Sequence, residues 1–226
     1  MNKMTRLALA ATTAALTAGS AVAGTVVLSE GFNAGLPAGW QTLNFSSFPS
    51  GTGFFQGYDS PAPFFAAQSG AATSYMASSA FIGAQTPTGD PAGQVDGYLV
   101  SPTLALDRDL ILNFWTRTVA NNAWAEYLYV GVLAGGQFTT LLEINPTLAV
   151  GAYPEDWTEY TVQINRQGAG TSGNLVFNYY LPDASQMGNY IGLDTVSLQV
   201  PEPAAWLALG SCLIAAGVAT SRRRRA

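Results

Sequence analysis

The chain has 226 residues, a formal net charge of −5 and no histidine. Six of its nine basic residues lie at the two ends, Lys3, Arg6 and Arg222 to Arg225, so residues 24–203 set only Arg108, Arg117 and Arg166 against all 14 acids, a balance of −11. That charge repels phosphate backbones and argues against a nucleic-acid partner, and against acidic polysaccharide unless divalent cations bridge the two surfaces. The absence of His, Lys and Cys from the same segment removes Ser-His-Asp and Cys-His nucleophiles, a zinc site built on His and Cys, and any disulfide staple.

In chain order, Lys3 and Arg6 precede an uncharged run from Leu7 to Leu16, and Ala21 and Ala23 follow as an A-x-A pair. This is the order of a secretory signal, and it predicts cleavage by signal peptidase after Ala23. Residues 1–23 are therefore read as a signal peptide, and the mature chain starts at Gly24. The segment is too short to span a bilayer once its flanks are counted.

The next stretch, residues 24–200, has the length of a single domain with a sizeable core. Its apolar residues alternate with period two. Leu110, Leu112 and Phe114 share one face against Ile111, Asn113 and Trp115, a run that reads as covered on both sides. Leu128, Val130 and Val132 alternate with Tyr127, Tyr129 and Gly131. Tyr160, Val162 and Ile164 follow, then Leu175, Phe177 and Tyr179 against Val176, Asn178 and Tyr180. These are strand patterns bounded by Gly, Pro and Asn turns, and no long amphipathic helix is predicted. Residues 66–85 read as loops with short strands. In the last run Ile191 and Leu193 are out of phase with Val196, Leu198 and Val200, which predicts a bulge with one extra residue near Asp194 and Thr195. The fold class is all-β, an antiparallel two-sheet sandwich of jelly-roll type.

Residues 201–226 read as a sorting tail. Pro201-Glu202-Pro203 precedes an uncharged stretch, 204–220, at the lower limit for one transmembrane helix, with Trp206 at an interfacial position and Cys212 as a small apolar residue. The basic end, 221–226, with Arg222, Arg223, Arg224 and Arg225, holds the tail on the cytoplasmic side. Triplet, helix and basic terminus together resemble the PEP-CTERM sorting signal. The resemblance implies that an exosortase-type membrane protease recognises Pro201, Glu202 and Pro203 and removes the helix, in bacteria that make exopolysaccharide and biofilm. A permanent single-span anchor is the plain alternative.

Five segments resemble the choice-of-anchor J domains and the cleaved-adhesin modules of secreted proteases. They are Glu30-Gly31-Phe32-Asn33 running into Leu36-Pro37-Ala38-Gly39-Trp40, then Tyr98 to Pro102, Leu112 to Trp115, Phe138-Thr139 with Trp157 downstream, and Ile191 to Val196. Tyr98 stands where the family has Trp, and Thr195 where it has a second acid. The resemblance implies that first and last strands pair, bringing Glu30 near Asp194, where a structural calcium with oxygen ligands is the candidate cofactor. The other reading is that Glu30 bonds turn amides and Asp194 caps the bulge.

Trp124, Tyr127, Tyr129 and Tyr153 lie near loops and are candidate ligand-binding aromatics, since sugar rings stack on such faces. The visible candidate acids are Asp156 with Glu159 around Trp157, or Glu126 beside Trp124. The expected function is a non-catalytic exported surface or matrix module that adheres weakly to a glycan or surface protein. The rival is a carboxylate-based glycan hydrolase, which needs two acids facing across a groove.

Overall fold

The period-two runs of the sequence are strands. The computed structural model describes residues 24–61, 64–85 and 89–201. The signal segment 1–23, the tail from Glu202 onward and its predicted membrane helix 204–220 lie outside the described residues. Among those described, no helix is long and apolar enough to cross a membrane.

Among the described residues fourteen strands follow in order: β1 (Thr25–Glu30), β2 (Gln41–Asn44), β3 (Phe55–Gln56), β4 (Met76–Ser79), β5 (Ala84–Gln85), β6 (Asp90–Pro91) and β7 (Val95–Val100). Then come β8 (Leu104–Ala105), β9 (Leu110–Thr118), β10 (Leu128–Ala134), β11 (Gln137–Ile144), β12 (Thr158–Ile164), β13 (Ser172–Leu181) and β14 (Tyr190–Val200). The stretch read as loops with short strands holds β4, a 3-10 turn over Ala80–Gly83, and β5.

The strands form two antiparallel sheets and a small β5-β6 ribbon. The first sheet runs β12-β9-β14-β4-β3, and the second β11-β10-β13-β7-β2, with β8 also against β13. In the first, β14 is central. Its N-terminal half pairs with β4 and its C-terminal half with β1, while β9 lies along its other side. First and last strands thus pair, with Thr25 opposite Val200 and Glu30 opposite Val196.

The core fills the space between the sheets. Leu110, Leu112 and Phe114 of β9 and Leu193, Val196 and Leu198 of β14 meet Leu128, Val130, Leu175, Phe177 and Tyr179, all essentially buried. Each such side chain stabilises the fold by about 1.5–3 kcal/mol relative to exposure. Phe114 and Phe177 join the sheets edge to face at 5.2 Å. The opposite face of β9, expected to be covered, is half-buried at Ile111, Asn113 and Trp115.

The predicted bulge is present. Asp194 pairs with Trp115 and Ser197 with Asn113, so β14 carries one residue more than β9 between those pairs. Thr195 absorbs it with φ of 48°, left-handed backbone that a β-branched residue adopts only when its surroundings hold it there. The bulge restores Val196 and Leu198 to the core and leaves Asp194 on the outer face.

The outer faces of the two sheets differ. Near Gly192 the first sheet is roofed by Phe65, Tyr75 and Trp157, and a Cβ on Gly192 would lie 2.7 Å from the Phe65 ring. The outward residues of the second sheet's central strands include Asp96, Tyr98, Tyr129 and Tyr180, all half-exposed.

Candidate ligand-binding surface

Asp194 sits beneath the loop that roofs the first sheet and is fully buried. Its Oδ2 accepts the backbone N–H groups of Gln68 at 2.9 Å and Ser69 at 3.1 Å, and its Oδ1 that of Thr195 at 2.6 Å. Burial pushes its pKa up, and the three amides pull it back. No basic side chain bonds it among the described residues. Glu30 accepts the amide of Phe32 on Oε1 at 2.9 Å. Glu30 thus bonds a turn amide, while Asp194 bonds the bulge amide and, beyond that, two amides of the 68–69 loop.

The same loop presents further oxygens. Thr195 Oγ1 donates to Gln68 Oε1 at 2.7 Å. A Cβ added to Gly70 would stand 2.5 Å from Asn33 Oδ1 and 3.3 Å from Ser74 Oγ, and Ser74 Oγ is buried without a hydrogen-bond partner among the described residues. Among those residues no three His, Cys, Asp or Glu side chains cluster, so a cation here needs neutral oxygens. The oxygens of Asp194, Asn33 and Ser74 about this loop are of the kind a hard cation takes, while Glu30 Oε1 is engaged by the Phe32 amide.

Glu126 lies two residues from Trp124 in sequence but is fully buried, whereas Trp124 is exposed. Tyr179 Oη donates to its Oε2 at 2.5 Å, and Asn122 Nδ2 and the Asn189 amide donate to Oε1 at 2.8 and 2.7 Å. Burial pushes its pKa up to about 7 against the pull of these bonds. With both oxygens engaged by protein groups, it faces no groove. Asp156 is fully exposed, 4.0 Å from Arg117, and Glu159 projects from β12, an edge strand of the first sheet. Neither lines a cleft described below.

The predicted aromatics separate. Tyr153 is buried, its hydroxyl 2.6 Å from Thr116 Oγ1. Trp124 is 45% exposed and lines a cleft of about 360 Å³ with Phe81, Pro91 and Asn189. Tyr127 is buried and packs on Tyr129 at 4.2 Å. Tyr129 lines a cleft of about 280 Å³ on the second sheet with Asp96, Tyr98, Phe138, Asn178 and Tyr180. A larger cleft, about 440 Å³, lies between Phe55, Tyr58, Phe64, Phe81 and Tyr190.

Tyr98, Tyr180, Asp96 and Asn178 escape a reading of the sequence as sites. The β13 alternation separates Asn178 and Tyr180 from Phe177 and Tyr179, but alternation alone does not tell the inner face from the outer when both carry aromatics.

No family model and no curated protein matches this chain. Among solved structures, it is similar to the K1 cleaved adhesin domain of Lys-gingipain from Porphyromonas gingivalis W83, with 28% identity over 79% of this chain and 100% of that one, at a TM-score of 0.56. The K3 cleaved adhesin domain of the same protein is similar at 25% identity, covering 79% of this chain and 99% of that one, with a TM-score of 0.55. The chain thus shares the sandwich of adhesin domains.

Proposed function

We propose that this protein is a non-catalytic adhesive module of the choice-of-anchor J type, exported and displayed at the cell surface or in the extracellular matrix. One observation carries the reading: the open clefts are lined by aromatic side chains, whereas the candidate catalytic acids are either internally bonded, as Glu126 is, or spread over open surface, as Asp156 and Glu159 are. Aromatic walls offer affinity through stacking and burial. Hydrolysis requires two carboxyls across one groove. The similarity to two cleaved adhesin domains supports the same reading.

In this reading the tail is a PEP-CTERM signal handled by an exosortase-type protease at Pro201, Glu202 and Pro203, in a matrix linked to biofilm or exopolysaccharide. Calcium held by Asp194, Glu30 and the neighbouring neutral oxygens pins the 68–74 loop to β14 and plays a structural part.

The test is incubation of the purified full chain with a panel of polysaccharides, following retention and released reducing ends together. Retention without release is expected. Release of reducing ends that Asp156→Asn or Glu159→Gln abolishes would overturn the reading in favour of a hydrolase.

A further inference from the structure

We propose that the outer face of the second sheet is a groove for an uncharged polysaccharide chain, with Tyr98, Tyr129 and Tyr180 as stacking surfaces and Asp96, held in place by the buried Asn178, as the anchor for sugar hydroxyls. This rests on the adhesive reading above and gives it a site and a ligand class.

The groove follows from strand register. Leu43, Tyr98, Asn178, Tyr129 and Glu143 are successive cross-strand partners on β2, β7, β13, β10 and β11, so they form one row across the sheet. Tyr180 is opposite Asp96 in the adjoining row. Four inter-strand steps of about 4.8 Å give the row a length of about 19 Å, enough for several linked sugar rings.

The surface is amphiphilic in the way a sugar is. A pyranose has apolar C–H faces and a polar hydroxyl edge, so it needs flat rings beside hydrogen-bonding groups. Tyr129 and Tyr180 stand 6.0 Å apart, steeply inclined, and the Tyr127 ring packs against Tyr129. Between the rings, Asn178 Nδ2 donates to Asp96 Oδ1 at 2.8 Å and to the Gly97 carbonyl at 3.3 Å. Tyr98 lines the same cleft as Asp96, two residues before it on the same face of β7. Asp96 and Asn178 are thus oriented before a ligand arrives, on strands instead of loops, which lowers the entropy lost on binding.

Charge selects among glycans. Asp96 and Glu143 lie on this face, while Arg108, Arg117 and Arg166 line none of the three clefts. A polyanion is repelled and a neutral chain is not.

Affinity electrophoresis of the full chain through gels containing hydroxyethyl cellulose, xylan or galactan, with alginate as the polyanion and gelatin as the protein control, tests this. Retardation by at least one neutral polysaccharide and none by alginate is expected. Tyr129→Ala and Tyr180→Ala should each weaken it about three- to tenfold, Tyr129→Phe should keep it, and Val26→Ala, at an exposed position on β1 of the first sheet, should match the parent. Tyr180→Leu preserves bulk while removing the ring, so it decides the matter if an alanine variant unfolds. Unchanged retardation of folded ring-lacking variants would overturn the site and leave the adhesive reading standing. No retardation by any neutral polysaccharide, or capture by gelatin that free oligosaccharide does not compete, would overturn the proposal itself.

Discussion

The Tyr179 hydroxyl donates to Glu126 Oε2 at 2.5 Å inside the sandwich, and this pair makes stability depend on pH. Glu126 titrates near 4.5 when unfolded and about 7 when folded. Between those values the native state holds a proton that the unfolded state has lost, so stability falls as pH rises from about 4.5 to 7 and stays lower above that. At about 1.4 kcal/mol per pKa unit the fall is about 3 kcal/mol. Melting curves should show a higher midpoint at pH 5 than at pH 8. Glu126→Gln keeps the polar contacts without the charge and should flatten that difference.

Calcium should raise the melting midpoint and chelator lower it, because an ion bound only by the folded state adds its binding energy to folding. At free calcium 100 times its dissociation constant the gain is about 2.7 kcal/mol. Asp194→Asn should abolish the response, whereas Asp107→Asn, at an exposed ion pair with Arg108, should preserve it. A midpoint indifferent to both calcium and chelator would leave Asp194 as the residue that holds the 68–69 amides and nothing more.

Gly57→Ala should destabilise the domain. A Cβ there would stand 2.2 Å from Tyr75 Cζ, and the Tyr75 hydroxyl is held by the Tyr58 carbonyl and by Tyr190 Oη at 2.9 Å. The ring cannot move aside without breaking those bonds, so a loss of about 1–3 kcal/mol is expected in chemical denaturation.

Mass spectrometry of the exported protein should find Gly24 as its first residue and a C-terminus near residues 201–203. Neutralising Arg222 to Arg225 should leave the C-terminal segment attached and weaken membrane retention. An unchanged mature mass in that variant would contradict the sorting role given to the basic end.

The strands of the sandwich were readable because alternation at Leu110 to Trp115 and at Leu175 to Tyr180 reflects a local pleat that any half-buried strand must show. The bulge was readable for the same reason, since the phase slip between Leu193 and Val196 has no other local explanation. What alternation cannot carry is which strands become neighbours. Asn178 meets Tyr98 and Tyr129 only through ladders that join β7, β13 and β10 across more than 30 residues of chain. Tyr153 shows the converse: its neighbours Gly151, Ala152 and Pro154 read as a loop, yet the ring is buried under the first sheet.

The pairing of Thr25 with Val200 has a mechanical consequence. Load entering from residue 201 is delivered into β14, which is flanked by β1 on one side and β9 on the other. A pull along that strand shears two hydrogen-bonded ladders together, whereas a tether on an edge strand would peel one bond at a time. A cell held to a surface through this domain would therefore load its most doubly supported strand, and resistance to flow would be set by the centre of the first sheet, not by its rim.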